Sequence, residues 1–107
     1  MLESAQRCLI RMPHYILLVN WTDQGIRNVK ETTKRAEAAR SMAEKAGGKL
    51  QLFYTLGEYD IVCLAEMPND EATMKLALSL GKLGNIRTKT LKAWTEAEAA
   101  KIVAQLP

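Results

Sequence analysis

The sequence has one histidine and two cysteines, and this scarcity excludes the commonest kinds of reactive site. Cys8 and Cys63 form no Cys-x-x-Cys pair and have no histidine at the spacing of a zinc site. Haem ligation, or nucleophilic catalysis with a histidine partner, would need more than His14, which stands at the exposed entrance of a predicted strand. We therefore predict no catalytic residue, no metal site and no cofactor.

Long hydrophobic runs, phosphate-binding loops and blocks of one charge are also missing. The apolar run near the start, Tyr15 to Val19, has five residues, too few for a signal-peptide core or a membrane span. Fifteen basic and twelve acidic residues are interleaved, and Lys34 and Arg35 are expected on the solvated face of a helix. Neither nucleic acid nor a membrane is an expected partner, and the unpaired cysteines predict a cytoplasmic protein.

What the sequence does contain is a regular series of strand and helix patterns. Its 107 residues, 48% of them hydrophobic, fit one domain over residues 13–107, preceded by an N-terminal extension at residues 1–12. Strands are predicted over residues 14–21, 49–56, 59–67 and 86–94. Helices are predicted from Asn28 or Thr32 to the glycines at 47–48, over residues 70–83, and from a Thr95–Glu98 capping box to about residue 105.

The order β-α-β-β-α-β predicts an α+β fold of the ferredoxin-like type, a four-stranded antiparallel sheet with both main helices on one face. A short C-terminal helix follows. The second and third strands form a hairpin, and Gly57 is predicted to take a positive φ at its reversal. The strands are apolar on both faces, as in Ile16–Val19 and Ile61–Leu64, although two helices cover only one. A second copy is the expected cover, so the sequence predicts a homodimer or an assembly of dimers.

Three segments carry a family resemblance. Tyr15–Thr22 (YILLVNWT), Thr55–Asp60 (TLGEYD) and Gly84–Leu91 (GNIRTKTL) together resemble the GYD-domain family, over roughly residues 13–100. The resemblance implies a dimeric α+β barrel in a family of small bacterial and archaeal proteins. A more distant similarity, to the effector-binding domains of leucine-responsive regulators, implies a small-molecule site between subunits near the hairpin.

Polar residues near the end of the first strand and the hairpin are the candidate ligand contacts: Asn20, Tyr59, Asp60 and Thr88. Aspartate is depleted from strands and is costly to bury without a partner. Asp60 either contacts a ligand or braces the hairpin, through backbone amides or a pair with Arg87. Asn20 likewise either contacts a ligand or forms a turn with Thr22.

These patterns favour a stand-alone small-molecule-binding or sensing module of uncharacterised activity. Two alternatives stay open. One is a cofactor-independent monooxygenase- or isomerase-like enzyme of the dimeric α+β barrel type, relying on Asn20, Trp21 and Trp94. The other is a structural or assembly protein. No pattern in the sequence identifies the ligand.

Overall fold

The computed structural model describes residues 12–107, so the predicted N-terminal extension lies outside the described residues except for Met12, whose side chain is buried. The elements follow in the order β1 (His14–Trp21), α1 (Asp23–Arg27), α2 (Thr32–Lys45), β2 (Lys49–Tyr54), β3 (Ile61–Glu66), α3 (Asp70–Gly81), β4 (Ile86–Ala93) and α4 (Glu96–Ala104). No helix within residues 12–107 is long and apolar enough to cross a membrane.

The four strands form one antiparallel sheet in the order β2-β3-β1-β4. β1 therefore lies between β3 and β4, with Leu17 opposite Cys63 on one side and Thr90 on the other. This strand order and the following C-terminal helix confirm the predicted α+β ferredoxin-like fold.

Side chains on β1 alternate between the two faces of the sheet. Tyr15, Leu17 and Val19 are buried beneath the helices, while Ile16 and Leu18 point to the other side. Because directly opposed residues in an antiparallel pair share a face, the register defines an apolar surface that the helices leave uncovered. The apolar residues of this open face are Ile16, Leu18, Phe53, Val62, Leu64 and Leu91, and Gln51 and Lys89 lie on it beside them.

Local signals explain where the longer helices lie. α2 turns Ala36, Ala39 and Ala43 toward the core, and these small side chains let the helix approach β2 closely. α3 begins where predicted, because the Asn69 side chain accepts a hydrogen bond from the Ala72 amide. The predicted capping box of Thr95 and Glu98 is present at the start of α4.

The segment between β1 and α2 differs from the prediction. It contains the short helix α1, where no element was predicted, and a 3-10 turn at Val29–Glu31 before α2 begins at Thr32. Thr22 caps α1 by accepting from the Gly25 amide, whereas the N-cap residue of α2 is Glu31, without a side-chain hydrogen bond. The sequence does not predict α1 because the helix has five residues and contains Gly25, and glycine is a poor helix former.

The hairpin strands are shorter than predicted, so residues 55–60 form a loop and Asp60 lies just before β3 instead of within it. The Thr55 amide donates to the Asp60 carbonyl at 2.9 Å, and the Thr55 hydroxyl donates to the Tyr59 carbonyl at 2.6 Å. Gly57 has a φ of +106°, which confirms the predicted positive φ.

We expect Gly57→Val to lower the free energy of unfolding by roughly 1–2 kcal/mol, because L-residues are disfavoured at positive φ. A Cβ at Gly57 meets no atom within 4 Å, so the loss comes from the backbone and not from a clash. Gly81→Ala is the matched control, since Gly81 also faces open space but has no positive φ. Urea unfolding that gives the same stability for Gly57→Val and wild type would contradict the assignment.

Candidate functional site

Asp60 ties the hairpin loop to the end of β1. Its Oδ2 accepts hydrogen bonds from the Trp21 amide at 2.9 Å and from Asn20 Nδ2 at 3.4 Å. Its own amide donates to the Val19 carbonyl at 2.9 Å, and Asn20 Nδ2 also donates to the Glu58 carbonyl at 2.9 Å. The two polar side chains singled out in the sequence thus have partners within the chain.

The other two predicted site residues lie on different sides of the sheet. Tyr59 directly precedes Asp60 in the chain. Lys89 Nζ lies 5.7 Å from the centroid of the Tyr59 ring, a cation–π distance. Thr88 is opposite Val19 in the register and so faces the helices. Asp60 makes no ion pair with Arg87 or with any other residue that the structure describes. The structure therefore separates Thr88 from the hairpin residues.

A cavity of about 90 Å³ lies between the helices and the sheet, and we call it the helix-side cavity. Its apolar wall comes from the sheet and from both covering helices, and includes Leu17, Val19, Ala36, Ala39, Met42, Leu50, Cys63 and Leu80. Residues with polar groups that also line it are Trp21, Thr32, Arg35, Asn85 and Thr88. Thr88 is the one predicted site residue in this wall.

Trp21 carries an unsatisfied donor next to this cavity. Its indole lines the space, and its Nε1 is buried without a hydrogen-bond partner among the described residues. A buried donor left without an acceptor costs about 1–3 kcal/mol. This nitrogen has no surface open to the cavity, so the indole contributes its apolar ring to the wall and not its N–H group.

Arg35 stands at the same cavity on the first half of α2. Its Nη1 donates to the Asn28 carbonyl at 3.0 Å and its Nη2 to the Gly25 carbonyl at 3.4 Å. The Gly25 backbone packs closely against Asn85, the residue before β4. A Cβ at Gly25 would lie 1.9 Å from the Asn85 carbonyl oxygen. The expected solvated position of Arg35 is thus only partly correct, because its side chain is half-buried and held by the α1 segment.

Cys63 contributes an apolar, uncharged thiol to the wall. Burial raises the pKa of this thiol to about 11, so the neutral form predominates at physiological pH. A neutral buried thiol is a poor nucleophile. Cys63 is thus an inert core residue.

His14 lies at the other end of the sheet. Its Nε2 is 3.3 Å from a Glu66 carboxylate oxygen, and its Nδ1 is 3.6 Å from a Glu98 carboxylate oxygen. The exposed position expected for His14 is therefore only half correct, because the ring is partly covered by these neighbours. Within residues 12–107, no group of three histidine, cysteine or acidic side chains is placed to hold a metal ion.

Sequence reasoning missed the helix-side cavity and the part that Arg35 plays in it. One signal was available, the run of alanines on the buried face of α2, whose small side chains leave space beneath the first half of the helix. Which residues line that space depends on the packing of α2, α3 and the sheet, and no local pattern reports this.

Comparison with known proteins identifies a family. The family model described as the GYD domain matches residues 15–103, from the second residue of β1 to the end of α4. No curated protein and no solved structure matches the chain.

We expect Asp60→Ala to lower the free energy of unfolding by about 1–3 kcal/mol, because the buried Trp21 amide loses a charged acceptor. Glu58→Ala is the control, since it removes a carboxylate of the same loop that makes no hydrogen bond or ion pair with the described residues. Chemical denaturation measures both variants. Wild-type stability in Asp60→Ala would show that the carboxylate does not brace the hairpin.

Proposed function

The chain belongs to the GYD-domain family, and we propose that it is a small-molecule-binding module whose ligand occupies the helix-side cavity. The observation that carries this proposal is the helix-side cavity itself, a mainly apolar concavity that has the positively charged Arg35 among its lining residues. Ligand sites are typically apolar concavities with a few polar groups that orient the ligand.

A bound ligand explains the helix-side cavity better than imperfect packing of the core does. Protein interiors are close-packed, and an unfilled cavity costs stability in proportion to its volume. A lone water is a poor occupant, because it needs two to four polar partners and this wall is mainly apolar. A ligand with an apolar body would fill the space and remove the cost of the unfilled cavity.

The lining chemistry favours binding over catalysis. Among the described residues that line the cavity, the ionisable side chains are Arg35 and Cys63. Arginine stays protonated and the Cys63 thiol stays neutral near pH 7, so neither is suited to general-base catalysis. A cofactor-independent enzyme would need its base elsewhere.

A second copy of the chain is the proposed partner. On the open face, Phe53, Leu64 and Leu91 are 46%, 43% and 49% exposed, and together with Ile16 and Leu18 they form one apolar surface. Exposed apolar patches of this kind are typical of interaction sites. α4 has no buried residue and leaves Ile102 exposed, so it adds apolar surface to the same assembly. We place this homodimer in the cytoplasm, which the buried free thiol of Cys63 supports.

We expect filling the cavity to abolish ligand binding without unfolding the protein. Ala39→Leu puts a larger side chain into the wall of the helix-side cavity. Binding is measured by Trp21 emission in a Trp94→Phe background, using butyramide, 1-butanol, butylamine and butyrate as probes. At least one probe should give a saturable change that Ala39→Leu removes, while the melting temperature stays equal or rises.

Ser41→Leu is the matched control, because it adds the same side chain to an exposed position of α2 and should leave probe binding intact. Ala39→Val serves where leucine proves too large. If no probe changes Trp21 emission, or if Ala39→Leu binds like wild type, the cavity is not the ligand site.

We expect Leu64→Glu to convert the dimer to a monomer, because it places a charge in the centre of the open face. Sedimentation velocity at micromolar concentration measures the change. Met74→Glu adds the same charge to an exposed position of α3 and should leave the dimer intact. A monomeric wild-type protein would refute the proposed assembly.

A further inference from the structure

Among the described residues that line the helix-side cavity, Arg35 carries a charge, and its positive sign favours an anionic ligand. We propose that the cavity binds a small monocarboxylate with a short aliphatic chain, its carboxylate at Arg35 and its chain among the apolar side chains. This inference rests on the proposed function and adds the chemical identity of the ligand.

Arg35 has donors to spare for a carboxylate. Two of its guanidinium nitrogens donate to the Asn28 and Gly25 carbonyls, and these contacts hold the side chain in place. The four ion pairs among the described residues do not include Arg35, so its charge has no acidic partner there. A planar guanidinium with unused N–H groups matches a carboxylate, which accepts two parallel hydrogen bonds.

The wall excludes cationic ligands. None of the described residues that line the cavity is aspartate or glutamate, so an ammonium group would meet Arg35 without any compensating charge. A neutral ligand would leave the guanidinium without a counter-charge in a partly buried site. A carboxylate supplies that charge, and its two oxygens can accept from several N–H groups.

The fold places Arg35 at one end of the cavity. Trp21 is the last residue of β1 and lies opposite Ile86, at the start of β4. Arg35 is held by the carbonyl of Gly25, in the helix that directly follows Trp21. Leu17 and Cys63 lie opposite each other farther along the sheet and supply the apolar end. The cavity is therefore amphipathic, as a ligand with one charged end and one apolar end requires.

The volume of the cavity sets the expected length of the chain. At about 90 Å³, the cavity is smaller than the ~150 Å³ cavity that accommodates benzene in an engineered protein. The ligand should therefore contain about three to five carbons including the carboxylate, in the range of propionate to valerate.

The test follows the indole N–H of Trp21 by ¹H–¹⁵N correlation spectroscopy in Trp94→Phe, where it is the one tryptophan signal. Acetate, propionate, butyrate, valerate and octanoate are titrated, with butyramide as the uncharged counterpart of butyrate. Affinity should rise about fourfold for each methylene up to valerate and then stop rising. Butyrate should bind at least tenfold more tightly than butyramide.

Arg35→Gln should weaken butyrate binding at least tenfold and change butyramide binding by less than twofold. Lys34→Gln is the matched control, because Lys34 is the neighbouring residue, carries the same charge and pairs with Glu31 at the surface. It should leave both affinities unchanged. Arg35→Lys keeps the charge without the planar fork and should give an intermediate loss, and it replaces the glutamine variant if that variant unfolds.

The outcomes separate this inference from the proposed function. Equal binding of butyrate and butyramide, or no effect of Arg35→Gln and Arg35→Lys, overturns the carboxylate and leaves a binding cavity. Affinity that keeps rising to octanoate overturns the limit on chain length. If no probe moves the Trp21 signal, the proposed function and this inference both fail.

Discussion

The alanine face of α2 determines how the helix layer sits on the sheet. Ala43 is fully buried where the helix meets β2, whereas Ala36 and Ala39, a turn or more earlier, line the helix-side cavity. Side chains this small bring the helix near the sheet but cannot fill the space between them. The cavity, its apolar wall and the burial of the Trp21 indole all follow from that choice of residue.

Much of the fold was predictable because its signals are local. The bounds of β1 and the caps at Asn69 and Thr95 depend on neighbouring residues alone, and the structure has them where the sequence indicates. The loop at residues 55–60 was predicted too short, since hydrogen bonds from Thr55 to Tyr59 and Asp60 close it before the strand pattern ends. The helix α1 was missed because Thr22 and Gly25 also suit a turn.

The candidate site was less predictable, because it depends on tertiary packing. The sequence identified Asn20 and Asp60 as polar residues that need partners, and the structure gives them each other and the loop backbone. Trp21 and Arg35 carry no pattern that distinguishes a surface side chain from one that lines a cavity. Their roles arise only when α1 fixes the guanidinium and when α2 and α3 close over the indole.

The central claim is that the space beneath α2 is a real, accessible cavity in the folded protein. A crystal structure determined under xenon pressure tests it directly, because xenon enters apolar cavities that water does not fill. The claim predicts xenon density beside Leu17, Ala39 and Cys63. A close-packed interior at that place, with rearranged side chains and no xenon, would contradict it.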